Sequence, residues 1–151
     1  MPRRKTRVIV AGLVLGLSGL LLISIFIISS CGGSTGSCFA DAAGLILPVT
    51  IGAGLAGMMF YALFGAKGQR GWMLAAFGAI LVTTVGAVLA VLLLGLWDGE
   101  DISNVLGVAL VGPWFILVMF DQFPLTIFLW IGIMIAAHLV LRRYSINDTE
   151  L

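Results

Sequence analysis

Apolar positions along this chain do not alternate with polar ones. They come in long runs separated by short breaks. The first run, Val8 to Ile28, has only Ser18 and Ser24 as polar side chains. Comparable runs cover about residues 44–64, 72–96 and 124–141. Each is close to the roughly 20 residues that cross a hydrocarbon core of about 30 Å. A soluble helix would show polar positions every turn. The pattern predicts an all-α fold: a polytopic membrane helical bundle with four transmembrane helices, forming a single membrane domain over residues 1–151.

A further apolar stretch, 102–120, lies between an acidic turn (Asp98, Glu100, Asp101) and the break Asp121-Gln122-Phe123-Pro124. It either crosses as a fifth span or is a re-entrant or interfacial segment before the last helix. Pro113 lacks a backbone donor and favours the first turn of a helix, so Gly112-Pro113 points to a broken segment. Charge points the same way. The eight basic residues are Arg3, Arg4, Lys5, Arg7, Lys67, Arg70, Arg142 and Arg143. Four spans place all of them on one side, as the positive-inside rule demands. Five would export Arg142 and Arg143. The expected location is a bacterial inner (plasma) membrane, with both termini cytoplasmic.

Composition agrees. The chain is 61% hydrophobic and 10% charged, with a mean hydropathy of +1.19. A soluble domain is about a quarter charged. There is no basic domain to bind nucleic acid, and little length for a soluble catalytic domain.

Cys31 and Cys38 share the first loop, which this topology puts outside the cytoplasm, where disulfides persist. Six residues separate them, five being Gly or Ser. The expectation is a structural disulfide, contributing roughly 2–3 kcal/mol for so short a ring. A thiol-redox pair would call for C-x-x-C spacing or a nearby cation. Basic Arg3-Arg4-Lys5 followed by an apolar run and Ile28-Ser29-Ser30-Cys31 resembles a bacterial lipoprotein signal. That resemblance implies a lipidated Cys31, whereas the length of the apolar run fits a retained span.

Small residues recur at four-residue spacing: Gly12/Gly16, Gly52/Ala56, Ala53/Gly57, Ala75/Ala79, Gly86/Ala90 and Gly132/Ala136. Such pairs let helix backbones approach closely where lipid supplies no hydrophobic drive. They serve packing within one bundle or against another membrane subunit. Polar candidates for a path through the membrane are few: Thr83, Thr84, Asp121 and the single histidine, His138. Thr83 and Thr84 can bond across helices or back to their own carbonyls. His138 has no second histidine to share a haem or zinc. Trp72, Trp97, Trp130 and Tyr144 suit interfacial borders. No nucleophile–base pair, phosphate loop or metal-ligand cluster is evident, and no cofactor or metal is expected.

The function expected is therefore non-enzymatic: an accessory, assembly or stabilising subunit of a larger membrane complex. Its partners would be the lipid bilayer and another integral membrane protein, or itself as a homo-oligomer, with no nucleic acid. The alternative is a small oligomeric channel or transporter. A lipid-modifying or thiol-redox membrane enzyme ranks below both.

Overall fold

The computed structural model describes the backbone of residues 2–31, 37–122 and 124–146, and their side chains except those of 2–4, 31, 37–41, 43, 115, 119 and 144–146. Among the described residues six α-helices follow one another: α1 Pro2–Cys31, α2 Ser37–Phe60, α3 Gly68–Trp97, α4 Ile102–Ala109, α5 Gly112–Gln122 and α6 Leu125–Ile146. A 3-10 turn, Tyr61–Leu63, closes α2. Among the described residues there is no strand. The fold is all-α, as the apolar runs imply.

Among the described residues five segments are long and apolar enough to cross a membrane: Lys5–Ser30, Gly44–Leu63, Gly68–Trp97, Ile102–Gln122 and Leu125–Arg143. Four overlap the spans expected above. The additional one, Ile102–Gln122, is not a single helix. It breaks at Leu110 and Val111, and Pro113 sits in the first turn of α5, where its missing donor costs nothing. Large apolar side chains cover the outside, among them Leu13, Leu17, Met73, Phe77, Leu117 and Phe128. Such a surface suits lipid and not water.

Side-chain neighbours fix the directions of the helices. α1 and α2 are antiparallel: a Cβ on Gly12 would meet Met58, and one on Gly19 would meet Val49 and Ala53. α2 and α3 meet through Gly52, whose added Cβ would lie 2.6 Å from the Gly86 carbonyl oxygen. α6 is antiparallel to α3, because His138 packs on Trp72 while Trp130 bonds to Thr83. The N-terminal turn of α1, the link 65–70 and the C-terminal turn of α6 therefore share one end of the bundle. That end carries the basic residues.

The opposite end holds the acidic turn. Gly99 adopts φ +75°, a left-handed conformation open to glycine, and lets α3 fold back into α4. Val105 packs at Gly95, and Gly112 reaches the Ala87 carbonyl, so α4 runs beside the C-terminal third of α3. Trp130 is level with Thr83, so Leu125, five residues earlier, stands about 7 Å back toward the acidic end. Phe120, near the end of α5, packs edge-on against Trp130.

The buried core is Ala11, Leu15, Ala56, Phe64, Ala75, Ala79, Val82, Ala137 and Leu141. Five of these nine are alanine, which fits helices held by close backbone approach instead of bulky apolar contacts.

Candidate functional site

The pairs Gly12/Gly16, Gly52/Ala56 and Ala53/Gly57 all lie at the α1–α2 or α2–α3 contacts. A Cβ on Gly16 would sit 3.2 Å from the Thr50 carbonyl, and one on Gly57 2.9 Å from Leu15. These pairs are consumed in holding the bundle together. Gly132 and Ala136 differ. Both are exposed, and a Cβ on Gly132 would meet nothing within 4 Å. Phe128, Ile131, Ile135 and Leu139 are exposed around them. The outer face of α6 is thus a shallow, small-residue groove between large apolar side chains.

The inner side of α6 carries polar side chains, among them the buried Thr126 and His138 and the half-buried Trp130. Thr83 Oγ1 donates to the Ala79 carbonyl at 2.7 Å and accepts from Trp130 Nε1 at 3.0 Å. It does both things the sequence allowed, bonding back to its own helix and across to another. The Trp130 ring also meets Phe120 edge-on, with centroids 6.0 Å apart. Trp130 was expected near a membrane border. It turns inward instead, because Thr83 supplies an acceptor for its indole N–H.

About two turns further along α6, His138 is 1% exposed. Its Nδ1 accepts the Gly65 N–H at 3.2 Å, and its ring packs on Trp72 at 4.6 Å. Gly65 adopts φ +85°, and a Cβ there would lie 3.0 Å from the Leu141 carbonyl carbon and oxygen. Only glycine both takes that conformation and lets the link lie against α6. His138 Nε2 is buried without a partner, as is Arg7 Nε.

Two cavities border α6. The larger, about 510 Å³, lies among α1, α2, α3, α5 and α6, touching Leu22, Val49, Gly86, Ile116 and Met134. Its polar side chains are Ser18, Thr83 and Trp130, and each is already bonded within the protein. It can hold apolar chains but gives an ion nothing to replace its water. The smaller, about 260 Å³, lies between α3 and α6 and includes His138, Trp72 and Trp130.

The four polar-path residues do not converge. Thr83 is engaged in the cross-helix bond, Thr84 is half-buried, Asp121 is exposed at the end of α5, and His138 is buried near the basic end. Ser24 and Thr50 donate to their own helices. Among the described residues no group of three or more His, Cys, Asp or Glu could hold a metal. The side chains of Cys31 and Cys38, and hence the expected disulfide, lie outside the described residues. Sequence reasoning missed the links from His138 to Gly65 and from Trp130 to Thr83. Buried polar residues with no neighbouring partner in sequence were the only signal for them.

No protein-family model, no curated protein and no solved structure matches this chain.

Proposed function

We propose that this small membrane protein is a non-enzymatic accessory subunit that packs against a larger membrane complex through the outer face of α6. One observation carries the reading. Gly132 and Ala136 are both exposed, with open space above Gly132, while the pairs of α1 and α2 are spent inside the bundle. A helix from another membrane protein can approach such a face closely enough for backbone contact. The apolar larger cavity and the scattered polar residues favour this reading over a channel.

The same reading takes four helices across the membrane, with the α4–α5 segment dipping in and returning. The basic end faces the cytoplasm of a bacterial inner membrane. The antiparallel course of α6 against α3 supports the even number of crossings, and the eight basic residues support the orientation.

The test is purification of a tagged copy from its native membrane in mild detergent, beside Gly132→Ile. A stoichiometric partner that accompanies the wild type and is lost from the variant, with unchanged melting of the isolated protein, supports the docking face. A wild type that emerges alone or only as a homo-oligomer, or a variant that keeps the partner, contradicts it.

A further inference from the structure

The small cavity between α3 and α6 combines space with an unused donor. Because His138 Nδ1 accepts the Gly65 N–H, that nitrogen is bare, and the imidazole carries its hydrogen on Nε2. Nε2 is buried with no acceptor. Buried donors are nearly always paired, and leaving one unpaired is costly. Next to this ring lies the cavity of about 260 Å³. Ala75, Ala76 and Ala79 leave the room, and Trp72 and Trp130 are its aromatic walls. Trp72, Ile80, Ile131 and Ile135 are exposed, so the cavity's rim meets the surrounding bilayer.

The chemistry of a suitable occupant follows. A cavity of about 150 Å³ accepts benzene, so this one has room for a single substituted ring or a short length of acyl chain. Apart from His138 no lining residue is ionisable. An anionic headgroup would therefore be desolvated without a cation. A neutral acceptor oxygen suits a neutral donor. His138 lies one turn from Arg142, about 6 Å deeper than the basic residues, at the border of the hydrocarbon and headgroup layers. We propose that this cavity binds an amphiphile that presents a carbonyl oxygen on an apolar body, and that His138 Nε2 donates its hydrogen to that oxygen. Two membrane components share that chemistry: an acyl-ester lipid and a lipophilic quinone. The Trp72 indole, itself exposed on its outer side, packs on the imidazole at the mouth of the cavity. The cavity shares Ile131 and Ile135 with the flank of the outer docking face, but the inference does not depend on a partner docking there.

The chain has a single histidine, so ¹⁵N-histidine labelling, with an affinity tag free of histidine, reports on this site alone. The full chain is placed in nanodiscs of ether-linked phosphatidylcholine, which has no carbonyls. It is then compared with nanodiscs of the ester-linked lipid, and with ether-lipid nanodiscs to which a decyl-substituted benzoquinone is added. Ala76→Phe fills the cavity from an exposed position and leaves the Gly65 bond in place; its melting temperature is measured to show that it folds. The proposal expects the Nε2 resonance to move in one or both additions and to stay still in Ala76→Phe. Movement with the ester lipid assigns a lipid carbonyl, and movement with the benzoquinone assigns a quinone. An Nε2 resonance unchanged by either, or one that moves equally in Ala76→Phe, overturns the proposal.

Discussion

Replacing Gly52 with alanine adds one methyl group to the contact between α2 and α3. Built on the backbone, that Cβ lies 2.6 Å from the Gly86 carbonyl oxygen, 2.8 Å from Ala90 N and 3.2 Å from Ala90 Cα. The first of these is about 0.8 Å inside ordinary van der Waals contact. All three neighbours are backbone, so no side chain can rotate away. The helices must part, and a gap of 0.5–1 Å already forfeits about a quarter to a half of each dispersion contact along the seam. Overpacking of this kind costs about 1–3 kcal/mol. Alanine's better helix propensity offsets at most about 1 kcal/mol of that. Gly132→Ala makes the same chemical change where nothing lies within 4 Å, so its stability should equal or slightly exceed wild type. The assay is thermal unfolding of both variants in one detergent, where 1 kcal/mol is worth about 2–4 °C at this chain length. Gly52→Ala should melt several degrees below wild type and Gly132→Ala should not. Equal melting of the two would refute the close α2–α3 approach.

Other consequences are open to measurement. Thr83→Val leaves the Trp130 indole without its acceptor and should cost about 0.6 kcal/mol, and no more than about 1.7, whereas Thr83→Ser should retain nearly all stability; the two melting curves decide it. Gly65→Ala strains a left-handed residue against the α6 backbone, so it should destabilise by about 1–3 kcal/mol and speed hydrogen exchange at the backbone amide of position 65, which bonds to His138 in the wild type. A disulfide between Cys31 and Cys38 should leave no thiol to alkylate in the native protein until reductant is added, as intact mass will show; two freely alkylated thiols would remove it. Cysteines placed at Lys67 and Arg143 should share one accessibility to an impermeant thiol reagent in intact cells, and opposite labelling would break the four-crossing topology.

The helices were legible because a bilayer admits long apolar helices and marks their ends with charge. The break ahead of Pro113 was legible because proline has no donor. Which small pairs face inward was not. In lipid the outside of a helix is as apolar as its inside, so Gly52/Ala56 and Gly132/Ala136 read alike. Only the packing distinguishes them, with Gly52 against the α3 backbone and Gly132 in open space. The polar links were also hidden. Trp130 and Thr83 are 47 residues apart, and Gly65 and His138 are 73 apart. Their meeting depends on the antiparallel course of α6 against α3, which no local pattern encodes.

The proposed docking of the outer face of α6 onto another membrane protein can be observed in place. Its most direct test is a photoreactive residue at position 136 in native membranes, beside one at Gly44, an exposed position on α2. Docking through α6 should give one discrete protein adduct from position 136, abolished by Gly132→Ile, and only lipid adducts from position 44. Lipid adducts alone from both positions, or the same protein adducts from both, would contradict it.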